Sequence, residues 1–347
     1  MTMGLNDNTV DWDAVNESFA RTGGRMIWKP YGMPEIIDPE NSKFHAGGIQ
    51  PRWDVSDTIV VEAAITGAFY TKKANPAQPI TVEEILTSAQ ECARAGASAI
   101  HLHVRGDNGY NSLDRERFKA VVDPLRAEFP GIAVDGCYVT ALDGEWDEMK
   151  IALGENILDG VPVNTTALYN GDALFAKPVP MMIEKTRLIL ESGAAPIVAV
   201  YTDADVNNAD RFLFRSGLLG PGQVWCVLPS IPGASPMENP RQMFEGLTRF
   251  VGLIRDVDPE AKILVCAAGR ASVFLATAAA LLGLHVRVGM EDTVWKYPHK
   301  DEKVTSNLES FLQIKTIVEA LGRRVATPAE YREIMGVKPL VDATHSH

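Results

Sequence analysis

At 347 residues, 46% of them hydrophobic, the chain can bury one large core or two ordinary ones. A net charge of −12 excludes a broad nucleic-acid footprint, yet it is compatible with an anionic small substrate held by a local arginine. No apolar run reaches the ~20 residues that span a bilayer, and residues 1–7 lack the basic-then-apolar order of a signal peptide, so the expected location is the cytoplasm with no membrane partner.

Residues 1–57 show no sustained periodicity and scatter Trp12, Trp28 and Trp53 among Gly and Pro. They read as an irregular N-terminal arm, docked on its own domain or on a neighbouring subunit. From residue 58 to 347 the chain reads as one domain. A strand at 58–66 is followed by Gly67-Ala68-Phe69-Tyr70, then by a helix opened by Thr81-Val82-Glu83-Glu84, whose Thr-x-x-Glu spacing fits a capping box. The second strand, 99–105, runs into a turn at Gly106-Asp107-Asn108-Gly109 and a helix over 113–129. Further strands fall at 132–140, 157–163, 196–201, 223–228, 262–267 and 285–290. Their helices fall at 146–153, 179–192, 203–218, 240–257, from Gly269-Arg270 to 282, and at 308–321.

Eight strand–helix alternations in about 265 residues match an α/β fold of the closed (β/α)8 TIM-barrel type; an open doubly wound sheet is the alternative. Cys92, Cys137, Cys226 and Cys266 are far apart with no Cys-x-x-Cys, so neither a disulfide framework nor a thiolate zinc site is expected, and they read as buried apolar residues.

Chemistry concentrates on two strands. In Ala99-Ile100-His101-Leu102-His103-Val104-Arg105, alternation sends His101, His103 and Arg105 to one face. Taken alone, a His-x-His pair is either a structural hydrogen-bonded pair or half of a metal shell. Barrel closure places the eighth strand beside the first, one strand from the histidines. Its ending, Arg287-Val288-Gly289-Met290-Glu291-Asp292, puts Arg287, Gly289 and Glu291 on one face. His101, His103 and Glu291 would then form a facial triad for Zn²⁺ or Fe²⁺; a buried Arg287–Glu291 ion pair is the plainer alternative. Asp292, pointing off that face or into the loop, could act as a base toward a C–H beside a metal-bound carbonyl. Gly269 and Arg270 open a helix after strand seven, where barrels often receive an anion. Thr140 and the Asn164-Thr165-Thr166 exit offer hydrogen bonds to a substrate, or caps to a helix.

Several segments together resemble the β-keto acid cleavage enzymes, whose founding member is the 3-keto-5-aminohexanoate cleavage enzyme of lysine fermentation. They are Ala64-Ile65-Thr66-Gly67-Ala68, Asn75-Pro76, Pro79-Ile80-Thr81, Ala95-Gly96-Ala97-Ser98, His101-Leu102-His103-Val104-Arg105 and Arg287-Val288-Gly289-Met290-Glu291-Asp292. The resemblance covers roughly residues 58–325. It implies a TIM barrel, a zinc ion on His101, His103 and Glu291, and a homo-oligomer, commonly a tetramer. It also implies that a β-keto acid and acetyl-CoA yield acetoacetate and a new acyl-CoA, with Asp292 and Arg287 promoting enolisation. The chain departs from the family pattern in three places. Val139-Thr140-Ala141-Leu142 stands for Ser-Thr-Gly-Gly, Pro196-Ile197-Val198-Ala199 lacks the strand-five glutamate, and Phe69 follows Thr-Gly-Ala where an acid is frequent. A CoA-independent zinc lyase or hydrolase, or a non-catalytic metal-containing barrel, are the other readings of those departures.

Overall fold

In the computed structural model, which describes residues 10–21, 52–140 and 144–338, the alternation read from the sequence closes into a ring. The strands are β1 (Val61–Ala64), β2 (Ala99–Leu102), β3 (Ala133–Gly136), β4 (Gly160–Asn164), β5 (Ala195–Val200), β6 (Val224–Val227), β7 (Lys262–Cys266) and β8 (His285–Val288). Every pairing is parallel, and β8 pairs with β1 through Val286↔Val61, Arg287↔Glu62 and Val288↔Ala63. The open doubly wound sheet is therefore excluded: this is a TIM barrel.

Parallel strands wrapped by helices are buried on both faces. Outward residues such as Val61, Ala63, Ile100 and Leu102 join one apolar cluster with the helices, while Val60, Ala99, Ala133, Ala199 and Cys226 pack in the ring interior. The interleaved helices are α1 (Val82–Arg94), α2 (Arg115–Glu128), α3 (Glu145–Gly154), α4 (Val179–Ser192), α5 (Asp203–Ala209), α6 (Pro240–Val257), α7 (Ser272–Leu281) and α8 (Asn307–Ala320), followed by α9 (Pro328–Met335). Thr81 and Glu84 form the expected capping box at α1. Helix α5 is shorter than its sequence pattern, because the chain loosens into a π-helical turn over Asp210–Phe214.

Three features escaped the periodicity. Two hairpins, Val104–Arg105 with Asn111–Ser112 and Ala167–Asn170 with Ala173–Ala176, sit in the loops after β2 and β4. A parallel pair, Thr58–Ile59 with Arg324–Val325, is too short to carry a period. The chain divides into two units, residues 1–55 and 56–347. In the first, Trp12–Arg21 is helical, although no sustained period marks the arm as a whole. Trp12 and Trp53 are exposed, and Trp28 lies outside the described residues. Among the described residues, no helix is long and apolar enough to cross a membrane.

At the start of β8, His285 Nδ1 accepts the Val60 amide at 3.2 Å, so the ring must stay neutral; burial, with help from Arg323, lowers its pKa to about 4. An unfolded histidine titrates near 6.5, so the native state binds the fewer protons and loses stability as pH falls from 6.5 toward 4. The stability difference between wild type and His285→Asn in denaturant titrations should shrink by about 2 kcal/mol between pH 7 and pH 5. A difference independent of pH would show that this imidazole is not held neutral.

Candidate metal centre and its cavity

The site grows from the upper end of β2. His101 stands in register with Asp135 of β3, and the His103 amide just beyond the strand donates to the Thr66 carbonyl at 3.0 Å, so the pleat continues and both rings face inward. Each Nδ1 has an oxygen partner, Asp135 Oδ1 at 2.7 Å for His101 and Asn111 Oδ1 at 2.9 Å for His103. Acceptors there favour the Nδ1–H form and direct both Nε2 atoms to one space. Glu291 Oε1 enters that space, 3.1 Å from His101 Nε2 and 3.5 Å from His103 Nε2. Its second oxygen, Oε2, is buried with no hydrogen-bond partner.

Two glycines let the glutamate arrive. Gly289 follows β8 with φ +149°, and a Cβ there would fall 2.0 Å from the Ala64 carbonyl oxygen, so only glycine lets this turn close against β1. A Cβ on Gly67 would sit 2.6 Å from Glu291 Cγ, so the acid fills the space a side chain would need. After Gly289 the Asp292 and Thr293 amides turn back onto its carbonyl, at 3.3 and 3.4 Å. Simple alternation sends Asp292 away from the ligand face; this turn returns it. Asp292 Oδ2 lies 3.0 Å from Arg287 Nε, Oδ1 lies 2.5 Å from Nη2, and the same Nη2 reaches Glu291 Oε1 at 3.3 Å. The ion pair and the ligand triad thus share one carboxylate.

Electrostatics favour a cation here. Burial opposes the charged form of Glu291, but His101, His103 and Arg287 outweigh it and hold the carboxyl well below its usual range. Burial also opposes charge on the imidazoles, yet Glu291 and Asp135 push His101 well up, and Glu291 with Cys137 pushes His103 up to about 9. Two Nε2 atoms with braced Nδ1 partners, a carboxylate and an orphaned carboxylate oxygen are a donor set suited to a divalent ion.

Sequence reasoning missed four neighbours. Asp135 and Asn111 brace the imidazoles from other elements, which no local motif reveals. Cys137, read as an apolar filler, lies 3.9 Å from His101 Nε2, and its ligand atom is within 4.8 Å of those of both histidines. Burial raises its thiol, but the two histidines more than offset this and bring it down to about 6. The fourth, Glu62, is fully buried inside the ring with both oxygens unpartnered, and burial, then Asp135, raises its pKa well above the usual range. An acid inside the apolar run Val60-Val61-Glu62-Ala63-Ala64 was its only signal.

Other candidate residues scatter. A cavity of about 370 Å³ opens onto His103, Cys137, Glu291 and Asp292, and Asn164 lines it, donating to the Tyr201 hydroxyl at 3.2 Å. Thr165 instead donates to the Asp205 carbonyl at 2.8 Å, fixing the start of α5. Thr140 is half-buried and does not line the cavity; β3 ends at Gly136, earlier than its sequence pattern. Gly269 donates its amide to the Asp292 carbonyl at 2.9 Å, which supports the turn from below. Arg270 stacks 3.8 Å over Trp295 and pairs with Asp301. Gly269 and Arg270 line a second cavity of about 610 Å³, which shares Tyr70, Ile231 and Pro232 with the first. Arg105 donates to the Tyr70 and Gly109 carbonyls, tying down two loops.

A closed β/α barrel that carries, at the carboxyl ends of its strands, a histidine–carboxylate cluster with the donor set for a metal ion beside an acid–arginine pair has the layout of a barrel enzyme. The description "beta-keto acid cleavage enzyme" belongs to the family model that matches residues 58–337. The 3-keto-5-aminohexanoate cleavage enzyme of Acetoanaerobium sticklandii is 32% identical over 282 residues, 81% of this chain and 99% of that protein. The 3-oxoadipate:acetyl-CoA acetyltransferase of Cupriavidus necator is 28% identical over 288 residues, 82% of this chain and 96% of that protein. The apo structure of ObcA aligns with a TM-score of 0.64 at 18% identity, over 76% of this chain and 66% of that one, which shows the shared fold. The chain belongs to the β-keto acid cleavage enzyme family, and with it to the enzymes that cleave β-keto acids by acyl transfer.

Removing one member of the triad leaves two donors. If the triad holds a divalent metal ion, His103→Ala and Glu291→Gln should each weaken its binding by about a hundredfold in competition with a chromophoric chelator, with unchanged far-UV circular dichroism. Wild-type affinity in both variants would place the ion elsewhere.

Proposed function

We propose that this chain is a zinc-dependent β-keto acid cleavage enzyme that converts a β-keto acid and acetyl-CoA into acetoacetate and a new acyl-CoA. The observation that carries the reading is the convergence of His101, His103 and Glu291 at the carboxyl end of the ring, with Asp292 on the same cavity. Zinc held by those three side chains would supply Lewis acidity toward the keto oxygen, making the adjacent C–H more acidic. Asp292, aimed by its two contacts to Arg287, takes the proton from C2 of the β-keto acid. Arg287 thereby keeps the base oriented and balances its charge inside the ring. The C2 carbanion attacks the acetyl thioester carbonyl, a C–C bond forms and CoA leaves as the thiolate. That thiolate then attacks the original keto carbon, the C2–C3 bond breaks, and acetoacetate departs with the proton returned to C2. Atoms balance without an added oxidant or water.

Asn164, a donor at the end of β4 that lines the cavity, would meet the substrate carboxylate, a role not given to Thr140, which does not line it. The adjoining larger cavity, with Gly269 and Arg270 on its wall, offers the route by which acetyl-CoA reaches the centre. The same reading makes the protein a cytoplasmic homotetramer. Exposed Phe274 and Leu281 on α7 and Leu312 on α8 are faces such an assembly would cover.

Zinc-loaded protein incubated with acetyl-CoA and a panel of β-keto acids should form acetoacetate, and Asp292→Asn should slow it by about a hundredfold or more while zinc content stays the same. Cleavage that proceeds equally without acetyl-CoA would replace this reading with a CoA-independent lyase. A full rate in Asp292→Asn would remove the base from the scheme.

A further inference from the structure

The walls of the catalytic cavity divide by chemistry. Its ionisable lining, among the described residues, is His103, Cys137, Tyr70 and Tyr201 with the acids Glu291 and Asp292, and no lysine or arginine lines it. The remaining wall is dominated by apolar and aromatic side chains, including Phe69, Leu174, Phe175, Leu228 and Ile231. These come from separate elements: Phe69 from the loop after β1, Leu174 and Phe175 from the hairpin Ala167–Ala176 after β4, and Leu228 and Ile231 from beyond β6. Their rings lock the wall together. Phe69 meets Phe175 edge-on at 6.4 Å between centroids, and Phe175 meets Tyr201 at 6.1 Å and 72°.

This wall is built for an uncharged guest. A charged tail laid against it would lose hydration, with no lysine or arginine lining the cavity to meet an anion and with both acids already paired with Arg287, and burial of an unpaired charge is costly. Lys177, just after the hairpin, has its Nζ 5.1 Å from the Phe175 ring centroid and does not line the cavity. Phe69 and Leu174 are more than 60% exposed, so a tail laid across them would remove apolar surface from water.

We infer that the β-keto acid taken by this site carries an apolar, uncharged tail on its keto carbon, and that Phe69, Leu174 and Phe175 select it. The named relatives act on compounds whose tails differ in charge: an amine in the 3-keto-5-aminohexanoate enzyme and a second carboxylate in the 3-oxoadipate enzyme. The inference rests on the reading of the centre as a β-keto acid site, and it concerns the end of the substrate remote from the chemistry.

Binding to the zinc-loaded protein separates the two claims, because it needs no turnover. Calorimetric titrations without acetyl-CoA would compare 3-oxohexanoate, 3-oxooctanoate, 3-oxoadipate and 3-keto-5-aminohexanoate. The expected order is 3-oxooctanoate before 3-oxohexanoate, by roughly threefold or more per added methylene, with both charged-tail acids at least about tenfold weaker. Phe69→Glu should cut the apolar preference by about tenfold and raise affinity for the aminohexanoate, with zinc content unchanged. Tightest binding of a charged tail in the wild type, or an unaltered order in Phe69→Glu, would overturn the inference even if acetoacetate forms. The expected order without acetoacetate formation would sustain the pocket assignment and remove the proposed reaction instead.

Discussion

A guanidinium buried inside a closed ring has to be neutralised, and the position of Arg287 settles where the site's carboxylates lie. Its side chain is 3% exposed and contacts both Glu291 and Asp292 through the turn after β8. Without these acids the cation would be stranded in an apolar interior, at a cost that would be several kcal/mol. With them, one carboxylate is presented to two imidazoles and the other to the cavity. Burial puts Arg287 under strain as a charge, but Asp292, supported by Glu291, keeps it firmly protonated. The ion pair and the candidate metal ligands therefore share one carboxylate, that of Glu291.

The architecture was legible because eight alternations repeat one physical pattern, apolar strand then amphipathic helix, and repetition averages out local error. The His-x-His strand was legible for a related reason: two polar residues on one face of a buried strand demand partners. The partners themselves were not legible. Asp135, Asn111 and Cys137 come from other elements, and their side chains reach the imidazoles only through parallel register and a hairpin. Strand alternation also sent Asp292 off the ligand face, since nothing in a period of two anticipates a reversal at Gly289. Thr165 looked like a substrate donor and is a helix support, the plainer role that hydroxyls at strand ends usually take.

The barrel and its loops divide the work. Strand ends fix the triad to within hydrogen-bond distances, as rigid elements do better than loops. The loops after β1, β4 and β6 supply the apolar wall, so the tail-facing surface can change without disturbing the ring. The relatives, some 30% identical across nearly their full length, are named for differently charged substrates, in keeping with that separation.

The contact between Gly67 and Glu291 couples two positions 224 apart in the chain. A larger residue at 67 takes the volume occupied by the glutamate's own methylenes, so it becomes tolerable only when 291 has already shortened. Neither change is harmless first. Such a pair holds sequence drift in check by epistasis: the loop after the first strand and the turn after the last must change together or stay as they are.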